Sequence, residues 1–422
     1  MKIAIVNKSD STGGAAVVSR RLMEALRSVG TDARMVVVEK LSGSPYVEMA
    51  ASNLAVKKSF ISERLKIFMS NGFDRDTLFR IDTGSDGLPL WRHPVIRDAD
   101  AVLLNWVNQG MLSLDGVREI LETGKTVIWT MHDMWCMTGV CHHAGACNGF
   151  KGKCRECPLM AKKLADRSLT VKIQDKKRRL YSLPGKIRFV AVSNWLRDKA
   201  CESELLACQD VSVIPNAFIL DDRRRREPKG SGDRITMAFG AARLDDPIKG
   251  LPVLVEMTRV LRERYPSLAE RMELVTFGGV RNPSSLNGIG IPHRHLGLIR
   301  GEEAVRNIYD AADIVVSSSS YETLPGTLVE AQAYGCLPVS FNRGGQSDIV
   351  DHLETGYLAE YSEDPIVASS RLAEGVAWAA GVVEDPEQIG KRREKMYDEV
   401  LRKFSPEAVA GRYLELIGKA IL

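Results

Sequence analysis

Two glutamates eight positions apart, Glu322 and Glu330, bracket a stretch whose residue types suit phosphate binding. Thr323 is of a type that caps helices, Pro325 is tolerated in a first turn, and Gly335 can close the far end. Unpaired N–H groups at such a helix start, aided by the helix dipole, attract phosphate. Leu324, Gly326 and Thr327 are the candidate donors; Pro325 has no N–H to offer. Eight helical residues rise about 12 Å, comparable to the span from sugar to ribose in a nucleotide-sugar. One carboxylate can then take sugar hydroxyls while the other takes the ribose. A second run, Gly240-Ala241-Ala242-Arg243-Leu244-Asp245-Asp246-Pro247-Ile248-Lys249-Gly250, places two cations in one loop. Fixed cations stabilise a departing diphosphate without a metal. Gly13 and Gly14 form a tight strand-to-helix turn, and His132 stands at the end of an apolar run, Lys125–Thr130. Four cysteines, Cys141, Cys147, Cys154 and Cys157, have residue types and spacing that suit a structural zinc, with His142 or His143 as substitute ligands.

On these residues the chain resembles the retaining, two-Rossmann (GT-B) glycosyltransferases of family four. Their paired-glutamate signature corresponds to Glu322 and Glu330-Ala331, with Leu324 where Phe is usual and Pro325 where Gly is usual. Arg243 and Lys249 match the Gly-Arg-Leu…Lys-Gly loop, with one extra residue before the lysine. Thr12-Gly13-Gly14-Ala15-Ala16 and His132-Asp133-Met134-Trp135…Thr138-Gly139 look like the colanic-acid-type exopolysaccharide branch. The resemblance implies that Arg243, Lys249 and the helix start hold the diphosphate. It implies that Glu322 and His132 orient the sugar, Glu330 holds the ribose, and Gly13-Gly14 approach donor phosphate and acceptor. Weaker matches are Val213-Ile214-Pro215-Asn216, which resembles the segment ending the family's N-terminal domain, and Gly344-Gly345, which resembles the glycine turn lining its C-domain cleft.

The elements that must carry these residues follow from alternating patterns. Strands are expected at 2–7, 33–38, 101–104, 125–130, 187–192 and 211–216, with helices at 14–29, 112–122 and 194–207. A charged stretch with Pro228, Gly230 and Gly232 reads as a linker. A second alternation has strands at 235–240, 273–277, 295–298, 313–317, 337–341 and 356–358. Its helices are expected at 250–264, 302–311 and 325–334, followed by a helical tail from 365. The fold class is therefore α/β: two Rossmann-like doubly wound parallel-sheet domains facing a central cleft. Residues 1–217 form an acceptor domain with a Cys-rich insertion at about 133–160, and 218–400 the nucleotide-sugar domain. Residues 401–422 form a helix packing back on the first domain.

The 422 residues suit two domains, and 44% hydrophobic with 27% charged residues is ordinary for a globular chain. A net charge of +4 is small for this length and does not suggest nucleic acid as a partner. The runs Lys176–Arg179 and Arg223–Arg226 read as solvated surface, and Phe60–Met69 as a core-facing helix, with peripheral membrane contact as the other reading. Cys201, Cys208 and Cys336 read as buried packing residues. No stretch reaches the roughly 18 apolar residues of a membrane span. The expected location is cytoplasmic, at the inner face of the membrane. The expected partners are a nucleoside-diphosphate-sugar and a glycan or lipid-linked acceptor, with no catalytic metal. A nucleotide-sugar epimerase of similar fold, a metal-dependent enzyme using Asp74/Asp76 or Asp98/Asp100, and an inactive binding protein are the rivals.

Overall fold

A computed structural model describes residues 1–160, 168–183, 187–220 and 232–421. The chain divides into two compact units, Met1–Ala217 with Pro406–Leu422, and Phe218–Ser405. The basic run Arg223–Arg226 and most of the expected linker lie outside the described residues.

In the first unit the strands are β1 (Lys2–Val6), β2 (Asp32–Val37), β3 (Val47–Met49), β4 (Ala101–Leu104), β5 (Thr126–Met131), β6 (Arg188–Ala191) and β7 (Val211–Val213). They pair in the order β3-β2-β1-β4-β5-β6-β7, all parallel. All four residues of β4 are buried, as expected of a strand covered on both faces. The expected helix 401–422 is instead broken at Ser405, because Pro406 cannot continue the preceding helix Pro386–Phe404. Pro406–Ile421 belongs to the first unit, where Val409, Ala410, Tyr413 and Ile417 join Ile3, Leu22 and Leu26 in one core.

Two surface readings are corrected. In the helix Asn53–Ser70 the apolar stripe faces outward: Ile61, Leu65 and Met69 are about half exposed, at 51%, 53% and 51%. Its inner face carries Glu63, Arg64 and Ile67, because the core offers a charged partner there (below). Within the basic run, Lys177 is fully buried. Its ammonium donates to the carbonyls of Trp135 (2.5 Å), Thr138 (3.1 Å) and Gly139 (3.3 Å), which replace its water.

The second unit has β8 (Ile235–Arg243), β9 (Met272–Gly279), β10 (His293–His295), β11 (Ile314–Ser317), β12 (Leu337–Phe341) and β13 (Tyr357–Ala359). They form a parallel sheet in the order β10-β9-β8-β11-β12-β13. The helix Pro365–Val383 is long and apolar enough to cross a membrane by length and composition alone. Here its Leu372, Val376, Ala380 and Val383 fill the core beside Met237, Leu274 and Val339.

Candidate active site

The second unit brings Lys249 and Glu322 together across 73 positions of sequence, with Lys249 Nζ 2.5 Å from Glu322 Oε1. Local geometry sets up the contact. Ser320 N donates to Ile248 O (2.8 Å) and Ser318 Oγ to Lys249 O (2.9 Å), stitching the lysine loop to the end of β11. Gly250 follows in the left-handed region (φ 67°), where a Cβ would meet Ser318 O at 2.1 Å, so only glycine fits. Ser319 Oγ adds a bond to Glu322 Oε1 (2.8 Å). Sequence reading did not single out this serine.

Glu322 does not belong to the helix, which corrects the expected helical spacing of the two glutamates. The helix is Gly326–Ala333 with Pro325 as its cap residue, and Thr323 does not cap it. Glu322 instead forms a parallel bridge to Gly344, and its carbonyl accepts from Gly345 N (2.7 Å). Gly335, at φ 72°, closes the helix as expected. Among the described residues, the N–H groups of Gly326 and Thr327 have no partner, and Leu328 N is taken by Pro325 O (3.1 Å). The helix start therefore presents donors suited to an anion. Leu324 is buried just before it.

Gly344, at φ 105°, has no room for a side chain: a Cβ would lie 2.3 Å from Glu322 O and 2.7 Å from Gln346 Oε1. Gly344→Ala is expected to cost about 1–3 kcal/mol and to displace Glu322. Chemical unfolding and nucleotide-sugar binding measured on one preparation check this; a variant unchanged in both would show that the turn does not hold the glutamate.

The other sites of the unit are more local. Arg243, 40% exposed at the end of β8, lies 3.2 Å from Asp245 and 3.6 Å from Asp246, so its nearest charges are its own loop's. Glu330 Oε2 accepts from the buried Tyr309 hydroxyl at 3.2 Å.

In the first unit Gly13 and Gly14 are exposed at the start of the helix Gly14–Ser28, whose cap, Gly13, sits at φ 89°. His132 Nε2 lies 2.9 Å from Asn105 Oδ1, within hydrogen-bond distance. The two line a small cavity with Val18, Leu22, Pro215, Asn216, Val409 and Tyr413. Burial pushes the His132 imidazole down to about 4, opposed only in part by Asp133, so the ring is neutral at pH 7. Between that value and an unfolded value of 6.5 the unfolded chain binds the proton and the folded one does not. This contribution to stability is therefore complete above pH 6.5 and lost as pH falls toward 4. The ring keeps some exposed surface, so a loss of about 1 kcal/mol on going from pH 7 to pH 5 is expected, and a smaller one in His132→Gln. Urea unfolding of both proteins at the two pH values reads the difference; equal losses would mean the histidine is not held neutral.

Sequence reading missed the group beside it. Asp133 Oδ2 accepts from Trp106 Nε1 (2.9 Å) and His142 Nδ1 (2.7 Å), while His142 Nε2 reaches Asp82 Oδ2 (3.0 Å). Asp82 also pairs with Arg64 at 2.5 Å and accepts from Gln109 N at 3.0 Å. Burial opposes a charge on His142, but Asp133 and Asp82 outweigh it and lift the imidazole to about 10. Both His142 nitrogens are thus engaged, which removes it as a metal ligand.

Among the described residues, no three His, Cys, Asp or Glu side chains stand in an arrangement that holds a metal ion as they are. Cys141, Cys147, Cys154 and Cys157 are free, partly buried thiols. Cys201 and Cys208 are exposed, contrary to expectation, whereas Cys336 is buried. The two Asp-x-Asp pairs serve local structure: Asp74 accepts from Asp76 N (2.8 Å) and Asp100 from Lys2 N (2.8 Å).

Comparison with known proteins bears on the second unit above all. Residues 236–374 match the family model described as Glycosyl transferases group 1. A D-inositol 3-phosphate glycosyltransferase of Saccharomonospora viridis is 33% identical over 154 residues, 33% of this chain and 35% of that protein. The glycosyl transferase WcaC of Escherichia coli, named for colanic acid biosynthesis, is 32% identical over 91 residues, 20% of this chain and 22% of its own. The chain thus spans about a third or less of the length of these curated relatives. The Anabaena protein HepE, solved in complex with UDP and glucose, superposes with a TM-score of 0.57 at 14% identity, covering 99% of this chain and 100% of that one. That likeness is one of fold, and it extends the GT-B architecture over both units. Residues 236–374 accordingly resemble a group 1 glycosyltransferase domain, in a chain whose two units have the GT-B fold.

Proposed function

We propose that the chain is a retaining glycosyltransferase that moves a sugar from a nucleoside-diphosphate-sugar to a hydroxyl of a glycan or lipid-linked glycan. The observation that carries this reading is the Lys249–Glu322 pair beside an uncapped helix start. In the free protein each neutralises the other. A diphosphate draws the flexible lysine toward itself and releases Glu322 for sugar hydroxyls, with Gly326 and Thr327 N–H groups completing the anion site. The acceptor oxygen forms its bond to the anomeric carbon on the face from which the phosphate leaves. The carbon–oxygen bond to phosphate breaks, and the acceptor proton passes to the departing phosphate oxygen. The protein supplies orientation and charge stabilisation, with no nucleophile and no catalytic metal. Arg243 supplies further positive charge toward the diphosphate, Glu330 holds the ribose, and His132, Gly13 and Gly14 act on the donor as the family resemblance implies.

The short match to a protein named for colanic acid biosynthesis favours exopolysaccharide assembly; lipopolysaccharide assembly as the other pathway, and a place at the cytoplasmic face of the membrane, are parts of the same proposal. A thermal-shift series with UDP, GDP, ADP, dTDP and their sugars tests the donor site, since a ligand bound only by the folded state raises the midpoint. At least one nucleotide-sugar is expected to stabilise the chain in the presence of a chelator, and NMR of its transfer product to show a retained anomeric configuration. No shift with any of them would reject the assignment. Turnover of the donor's sugar without any acceptor would favour an epimerase.

A further inference from the structure

We propose that Cys141, Cys147, Cys154 and Cys157 bind one zinc ion as a tetrathiolate site that braces the loop following β5. The four thiols come from a single loop, and the fold gathers them. Cys147 Sγ and Cys154 Cα both lie against Gly149, within 3.4 Å and 3.9 Å of where its Cβ would stand. Cys154 Cβ lies 3.2 Å from the Cβ position of Gly139, where no side chain fits because Thr170 O is 2.8 Å away. Cys141 follows two residues later, its carbonyl bonded by Thr138 Oγ1 at 2.6 Å. Cys157 follows Cys154 three residues later in the same loop, its carbonyl held by Met160 N at 3.1 Å.

Two features suit a metal better than four independent thiols. Gly149 N donates to Cys147 Sγ at 3.4 Å, the type of backbone N–H to sulfur bond that steadies a thiolate ligand. Lys177, buried beside the loop, lies against three carbonyl dipoles and the Trp135 ring, 3.5 Å away. A zinc bound by four thiolates is net negative, and would give this interior ammonium the counter-charge that neutral thiols do not. The sulfurs do not yet converge, so closure requires the side chains to turn inward about their Cα–Cβ bonds. Four thiolates leave zinc no open position for a substrate, so its role is structural.

The test uses the full chain, purified without chelator and dialysed. Elemental analysis is expected to give about one zinc per chain, released by an organomercurial that titrates the thiols. Replacement with Co(II) is expected to give intense visible bands of tetrahedral cobalt and a strong sulfur-to-cobalt charge-transfer band. Cys147→Ser and Cys157→Ser should lose the metal, whereas Cys201→Ser and Cys208→Ser should keep it. Should the first two variants not fold, the stoichiometry and cobalt spectrum of the unaltered chain still decide. Metal-free protein whose four thiols react freely with a thiol reagent, or mass evidence for a disulfide among them, would overturn the proposal. Failure here would leave the donor-site reading untouched, because that is judged by nucleotide-sugar binding.

Discussion

Lys249→Ala is expected to lower kcat by about 10²–10³-fold while leaving the melting curve nearly in place. The asymmetry follows from where the pair sits. Lys249 and Glu322 side chains are 31% and 19% exposed, so water screens their attraction and the pair contributes at most about 1 kcal/mol to folding. In the reaction the same ammonium faces charge that grows on a departing diphosphate, in a site from which the donor excludes water. An interaction stronger in the transition state than in the ground state appears in kcat, and kcat/KM should fall by a similar factor. Glu322→Ala is expected to match it to within about tenfold, because either change removes one half of the exchange between lysine, carboxylate and diphosphate. Lys249→Arg should not restore full activity, since the planar fork does not reproduce a compact ammonium. Initial rates across a range of donor concentrations, with unfolding curves as the control, make the comparison. A Lys249→Ala protein that turns over within threefold of the parent would remove the cation from the mechanism.

Much of that site is legible in sequence, and the reasons are physical. Strands buried on both faces appear as unbroken apolar runs, so Ala101–Leu104 and Leu337–Phe341 can be placed to the residue. The contact between the lysine loop and the glutamate is foreseeable only because both motifs carry recognisable residues on the same half of the chain. What holds Glu322 is less visible: Ser319 is one serine among four, and Gly344 acts through its backbone. Three-residue β3 is too short to show a period. The helix Asn53–Ser70 shows the opposite failure. Its period is correct, but the face buried is the one bearing Glu63 and Arg64, and hydrophobicity alone points to the other. The partner that reverses the choice, Asp82, is 18 positions away from Arg64, and its own second partner, His142, is 60 further on. No local rule joins such residues; only the completed fold does.

Removing Asp82 is accordingly expected to have the largest effect on stability of any single change in the first unit. Its carboxylate is fully buried and is shared by the Arg64 guanidinium, the His142 imidazole and the Gln109 N–H. Burial would raise its proton affinity, but His142 and Arg64 hold it ionised. Glu63 is driven the other way by burial and by Asp82, and so is mainly protonated, with Thr83 and Gly84 donating to its Oε1. The buried charges then balance, Asp82 and Asp133 against Arg64 and His142. Asp82→Ala leaves a guanidinium without its nearest carboxylate, and a loss of about 3–5 kcal/mol is expected. Against a total of about 5–15 kcal/mol for a typical domain, that is enough to bring the unit near its unfolding threshold. The double variant Asp82→Ala with Arg64→Met should recover part of the loss, because the stranded charge leaves with its partner. Urea unfolding of the parent, both single variants and the double variant gives the coupling. If Asp82→Ala costs under about 1 kcal/mol, or if the double variant loses the sum of the single ones, these groups do not share a buried network and the helix Asn53–Ser70 needs another reason to turn its apolar stripe outward.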